Sequence, residues 1–142
     1  MSGYNGSYDQ QMDTKNRIRI PSKLKGDDTK FVFVKGADRC IGVYTPEGFD
    51  EFMKRAHASY ERMNGDIRRA MRLLSKACVT IETDAQGRII LPQFLKDFAE
   101  IEQDVVVCGA DDHIEIWSKK GHDKYYNNED EAILGIYDML GI

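Results

Sequence analysis

Asp13-Thr-Lys-Asn-Arg17-Ile-Arg-Ile-Pro21 recurs as Asp84-Ala-Gln-Gly-Arg88-Ile-Ile-Leu-Pro92, 71 residues further along the chain. Asp, Arg, Ile and Pro keep the same places in both copies. A repeated unit implies a repeated fold, so whatever the Asp and the Arg do is needed at two places. Leu24 and Lys25 extend the match to Leu95 and Lys96 at the same offset. The offset then becomes 73, as for a two-residue insertion in the second copy. With that allowance Gly36-Ala-Asp38 aligns with Gly109-Ala-Asp111, and Val32 and Val34 align with Val105 and Val107. Ile41, Tyr44 and Gly48 align with Ile114, Trp117 and Gly121. The chain therefore divides into two halves, 1–76 and 77–142, each small for an independent core.

The local grammar repeats with the motif. Ser7–Met12 reads as a polar edge strand, and Asp13-Thr-Lys-Asn as a turn whose Asp and Asn bond their own main chain. Arg17-Ile-Arg-Ile alternates polar and apolar, as a half-exposed strand does. Pro21 opens a short helix over 22–26. Phe31-Val-Phe-Val is strand-forming and turns through Gly36-Ala-Asp-Arg into Cys40–Tyr44. Thr45 caps a helix with Pro46 at its first position, and Phe49, Phe52, Met53 and Ala56 form its apolar face. Asp66 caps a second helix with the stripe Ile67, Ala70, Met71 and Leu74. Its Arg68, Arg72 and Lys76 read as a solvated face. The second half gives strands at 79–83 and 88–91, a helix from Pro92 through Ala99, and a hairpin over 104–108 and 113–117. A helix follows near 120–126. The tail 129–142 places Ile133, Ile136, Tyr137 and Leu140 on one side, either packed on its own half or set at a subunit contact. Each half reads β-β-α-β-β-α-α, so the expected class is a β-rich α+β fold with two halves in pseudo-twofold tandem.

Composition narrows the function. Hydrophobic residues at 42% suffice for a core, and a mean hydropathy of −0.52 fits a soluble protein. The apolar run Val105-Val-Val-Cys108 is too short to span a bilayer, and the polar start Met1–Ser7 has no signal-peptide core. No membrane association is expected. Cys40, Cys78 and Cys108 are spread without a C-x-x-C spacing, as for reduced thiols in the cytoplasm. No metal cluster is expected from three unspaced histidines. The net charge of −4 hides an uneven distribution. Residues 97–142 hold 12 acids and 3 bases, whereas 1–96 hold 17 bases and 12 acids. Lys15, Arg17, Arg19, Lys23 and Lys25 fall in one stretch with no acid. Local basic density governs phosphate contacts more than the chain total does.

The motif residues admit more than one chemistry. Asp13 and Asp84 fit structural turn residues, each accepting backbone N–H bonds and pairing with the Arg four places on. Two aspartates from duplicated halves also build aspartic proteases, but Lys15 and Gln86 stand where those enzymes need the close approach of Gly, and a lysine disturbs a shared-proton pair. Arg17 and Arg88 can each serve the turn or reach a base edge. Arg19 lies on the same strand face as Arg17, which favours DNA for Arg17. Ile90 and Phe94 replace Arg19 and Lys23 in the second copy, so that face is expected to be packed and Arg88 structural or a weaker DNA contact. Asp111, Asp112 and His113 read as a polar hairpin turn rather than a metal site. Trp117 and Tyr44 read as core, and His57 and His122 as solvated helix residues.

The two motifs resemble those of the MraZ family of bacterial regulators, which has the SpoVT-AbrB swapped-hairpin fold. Its signatures are D-x-K-G-R-x-x-[IV]-P and D-x-Q-G-R-[IV]-x-[IL]-P; Gly6-Ser-Tyr8, Gly109 and Glu115-Ile-Trp117 also look like family positions. Asn16 departs from the usual Gly but tolerates left-handed backbone. The resemblance implies a sequence-specific transcriptional regulator of double-stranded DNA, cytoplasmic and nucleoid-associated. It implies a ring-like homo-oligomer on short repeated boxes upstream of its own cell-division and cell-wall gene cluster. It implies DNA contacts at Arg17 and its basic neighbours, Lys15 nearest, with Arg88 in the corresponding second place. No cofactor, small-molecule substrate or enzymatic activity is expected. The alternative is an oligomeric scaffold without DNA readout.

Overall fold

The computed structural model describes residues 3–142. The first unit runs β1 (Ser7–Gln11), β2 (Arg17–Arg19), α1 (Ser22–Lys25), β3 (Lys30–Lys35), β4 (Ile41–Tyr44), α2 (Pro46–Arg62) and α3 (Ile67–Lys76). The second unit repeats the order with β5 (Cys78–Glu82), β6 (Arg88–Ile90), α4 (Gln93–Phe98), β7 (Asp104–Gly109), β8 (Ile114–Ser118), α5 (Lys119–Tyr125) and α6 (Glu129–Leu140). The class is α+β and strand-rich, as the alternation and turn signals predict.

The two units exchange strands. A six-stranded sheet has the order β1-β7-β8-β4-β3-β5, with antiparallel neighbours throughout. β1 leaves the first unit to pair with β7 of the second, and β5 returns the exchange by pairing with β3. Swapping each strand for its repeat partner reproduces the same order read backwards, so a pseudo-twofold axis passes between β4 and β8. Their register, Ile41 with Ile116 and Val43 with Ile114, maps onto itself under that operation. β2 and β6 form a separate two-stranded ribbon, pairing Arg17 with Ile90, Ile18 with Ile89 and Arg19 with Arg88.

The register corrects one part of the repeat alignment. Val105 and Val107 are equivalent to Phe31 and Phe33, not to Val32 and Val34. Both pairs lie in the main core, and each occupies the second and fourth places of its six-residue strand. The offset at β3 and β7 is thus one residue larger than the 73 that holds at β4 and β8. A strand is apolar on both faces here, so Val matched Val in the sequence while the pleat put them on opposite sides.

One face of the sheet packs on the ribbon. Phe31, Phe33, Ile41 and Ile116 meet Ile18 and Ile89 from the inner side of β2 and β6 in one buried cluster. Leu24 of α1 and Leu95 of α4 join the same core. Strands this short close a continuous core within one chain because both units contribute to it. The opposite face packs on helices. Tyr44 meets Phe49 and Phe52 of α2, and Trp117, Cys40 and Cys108 meet Tyr126 after α5. His122 belongs to this aromatic cluster, 4.9 Å from the Tyr126 ring, and is not the solvated residue the sequence predicts. His57 is exposed.

Helix length breaks the symmetry. Thr45 and Ser118 cap their helices equivalently, accepting the Gly48 and Gly121 N–H at 3.0 and 2.9 Å. α2 then runs 17 residues and α5 only 7, about 25 Å against about 10 Å at the usual rise. Asn64 and Asn128 turn the chain in left-handed conformation before α3 and α6. α3 folds back along α2, whereas α5 is too short to carry α6, which is exposed along its whole length. Among the described residues no helix is long and apolar enough to cross a membrane.

The β7–β8 turn docks on the end of β4 through His113, whose ring stacks on Tyr44 at 4.7 Å. Its Nδ1 and Nε2 lie 2.7 and 3.1 Å from Asp112 and Glu115, which leaves neither nitrogen free for an ion. Arg55 of α2 holds the other oxygen of Asp112 at 3.0 Å. Burial acts to lower the His113 pKa, but the hydrogen bonds to Glu115 and Asp112 outweigh it and leave the value raised above 6.5. A raised folded value contributes stability that is full below pH 6.5 and is lost as pH rises through it. The melting temperature is therefore expected to fall as pH rises above 6.5, and His113→Gln to flatten that slope. A wild-type profile without the fall would remove His113 from the coupling.

Strand exchange makes a second expectation. Fragments 1–76 and 77–142 should each lack dispersed amide spectra alone and regain them on mixing, because each lacks one edge strand and half the ribbon. A fragment folded on its own would show that the exchange is dispensable.

Candidate nucleic-acid interface

Each turn is closed by its aspartate. Asp13 Oδ1 accepts the N–H of Lys15 and of Arg17, both at 2.9 Å, and Oδ2 accepts Arg17 Nε at 2.6 Å. Asp84 repeats this with the N–H of Gln86 and Arg88 at 2.8 and 2.9 Å and with Arg88 Nε at 2.9 Å. The Arg17 backbone N–H chiefly holds the Asp13 carboxyl below its ordinary range, and the Arg88 N–H does the same for Asp84. A proton-sharing pair of aspartates needs one carboxyl raised, so this arrangement suits turns and not a protease dyad. Asn16 takes φ 59° where its counterpart Gly87 takes 76°. Lys96 donates to Asn16 Oδ1 at 3.1 Å. The Lys25 stem lies over Gly87, where an added Cβ would meet Lys25 Cε at 3.1 Å. Each turn is thus braced by the lysine of the other unit.

The β2–β6 pairing assembles the basic residues. Alternation buries Ile18 and Ile89 and turns Arg17, Arg19, Arg88 and Ile90 to the opposite, outer face. Three guanidiniums therefore share one small surface. Arg17 and Arg88 are tethered through Nε, which leaves their Nη donors for another partner. Arg19 Nη1 donates to the Gln86 carbonyl at 2.9 Å. Arg19 stands directly opposite Arg88, and like charges so placed repel. That arrangement favours an anionic ligand over the face. Lys15 and Lys23 are exposed beside it. Lys25 is tied to its own loop, its Nζ reaching the Gly26 and Asp28 carbonyls at 3.2 and 3.4 Å.

The structure corrects the expected difference between the copies. Ile90 is 63% exposed and Phe94 42% exposed, so the second-copy face is open and not packed. Arg88 is tethered in the same way as Arg17, with side-chain exposures of 28% and 29%. The physical reason is the ribbon: β6 lies antiparallel to β2, and both strands present the same face outward. Sequence reasoning missed Lys96 at the first turn and Ile90 on the arginine face. The repeat had matched Lys96 to Lys25, which was the available signal; for Ile90 only the cross-strand register supplies it.

Asp13→Ala should lower the melting temperature, and Asp13→Asn, which keeps an acceptor for the two N–H groups, should recover part of the loss. Unchanged melting of Asp13→Ala would count against the closure described. Because both carboxyls are depressed, their stabilisation is full above pH 3.8 and is lost as pH falls through the folded values.

A family model described as "MraZ protein, putative antitoxin-like" matches this chain twice, over residues 4–73 and 74–134. The two matches cover nearly the whole length and fall on the two units that exchange strands. The chain belongs to the MraZ family, which is of regulator type and is not a family of enzymes.

Proposed function

We propose that this protein is a sequence-specific DNA-binding transcriptional regulator that acts as a ring-like homo-oligomer. Its targets are short repeated boxes upstream of its own cell-division and cell-wall gene cluster, and it works in the cytoplasm at the nucleoid. One observation carries the reading: Arg17, Arg19 and Arg88 share the outer face of an exposed two-stranded ribbon. The major groove of B-DNA admits such a ribbon, and Arg reads guanine O6 and N7 there in bidentate fashion. Ile90, directly opposite Arg17, is suited to a thymine methyl group. Lys15 and Lys23, exposed beside the ribbon, serve as phosphate contacts, which set position without reading sequence, while Lys25 braces the second turn.

Arginines held by Asp13 and Asp84 lose less freedom on binding than unrestrained ones. One ribbon per chain spans few bases, so a single site binds weakly. Linking several chains raises the effective concentration at neighbouring boxes without new contacts. Tandem boxes and an oligomer therefore suit each other.

A gel shift with the DNA immediately upstream of the gene tests this reading. The wild-type chain should give a specific shift with a log–log salt slope of about −0.9 per neutralised phosphate. Arg17→Ala should abolish specific binding while the circular dichroism spectrum stays native. Arg19→Ala and Arg88→Ala should each weaken it by about 1–3 kcal/mol, the usual range for a bidentate base contact. No specific shift, or a flat salt response, would instead favour an oligomeric scaffold that binds a protein partner.

A further inference from the structure

We propose that α6 of one copy docks in the groove between α2 and α3 of a second copy, joining the chains head to tail. The proposal deepens the oligomeric part of the preceding reading and is independent of DNA binding. Three observations meet at it.

The first is an apolar helix without a partner. Ile133, Leu134, Ile136, Tyr137, Met139 and Leu140 are each between 42% and 83% exposed. A contiguous apolar patch of this kind on a soluble chain marks a contact surface. The repeat supplies the reason it is bare. In the first unit, α3 packs along the long α2; in the second, α5 has only 7 residues and offers α6 no equivalent surface.

The second is an open apolar groove between the two long helices of the first unit. Ala56 and Tyr60 of α2, with Ala70, Met71, Leu73 and Leu74 of α3, line a groove of about 340 Å³. Leu73 is 51% exposed at its edge.

The third is charge. α6 carries Glu129, Asp130, Glu131 and Asp138 and no base. α3 carries Arg68, Arg69, Arg72 and Lys76 and no acid. The α3 wall of the groove is basic, with Arg69 lining it, and an acidic apolar helix complements that wall. Two copies of α6 packed on each other would instead bring acid to acid, and complementary fields select partners chiefly by penalising such pairings. A contact between two different surfaces of the same chain propagates from copy to copy, and it closes into a ring when the rotation allows.

The test is a charge exchange on the full chain, read by sedimentation velocity at low salt without DNA. One variant carries Arg68→Glu, Arg69→Glu and Arg72→Glu, which makes the groove acidic. The other carries Glu129→Lys, Asp130→Lys and Glu131→Lys, which makes α6 basic. The substituted side chains are exposed, so a native fold is expected of both; the three lysines oppose the α6 dipole, and reassembly in the mixture separates that loss of helix from loss of the interface. Wild type should sediment as an oligomer. Each variant alone should assemble at least tenfold more weakly, and an equimolar mixture should assemble again, with the two variants alternating. A monomeric wild type would overturn the oligomeric reading itself. An oligomeric wild type with either variant assembling normally, or with a mixture that stays dissociated, would overturn this interface while leaving the oligomer in place. Failure of the gel shift would touch neither result.

Discussion

One aspartate carboxylate closes each of the two turns from which the fold is built. Asp13 takes two backbone N–H groups on one oxygen and the Arg17 side chain on the other, and Asp84 does the same with its own turn. The turn reverses the chain between a sheet-edge strand and a ribbon strand. β1 can therefore serve the β7 edge while β2 meets β6, and β5 can serve the β3 edge while β6 meets β2. Every later feature depends on that division. The core beneath the ribbon, the pseudo-twofold sheet and the shared arginine face all require both turns to pass the chain outward in the same way. The lysine of each unit then braces the turn of the other.

The six-stranded sheet separates two kinds of surface. The ribbon and its arginines cover one face, and α2 and α5 cover the other. The symmetry that builds the scaffold is broken on both sides. On the ribbon, Arg19 is matched by Ile90 under the repeat, so the face holds three guanidiniums and one aliphatic side chain. On the helical side, a long α2 supports α3 and a short α5 leaves α6 bare. The charge imbalance along the chain follows the same division, with basic residues on the ribbon and on α3 and acidic ones on α6. A symmetric frame with unequal surfaces can present one thing to a ligand and another to a neighbouring copy.

The repulsion between Arg19 and Arg88 bears on function. Core interactions do not require it, since both side chains lie on the outer face. Asp84 and the Gln86 carbonyl hold the two guanidiniums in place, which keeps the donors ordered before any ligand arrives. Such preorganisation limits the entropy lost on binding. The same carboxylates that stabilise the fold thus also set the geometry of the proposed contact.

Local sequence patterns determined the order of elements, the two turns of the doubled motif, the helix caps at Thr45 and Asp66, and the acid-free basic stretch. These are local properties: a turn residue, a capping oxygen or an alternating strand acts within a few positions of itself. Tertiary structure alone decided which strands pair. Long-range register placed Phe31 and Phe33 in the role first read for Val32 and Val34. It set Ile90 beside Arg17 in the open, drew Arg88 into the arginine face, and carried Lys96 to the first turn. It also decided that α6 stands free, because helix lengths settle that question only once α2 and α5 lie on the same sheet. Pairing across 71 residues has no local chemical signature. It is fixed by which apolar faces can be buried together, and that is a property of the whole chain.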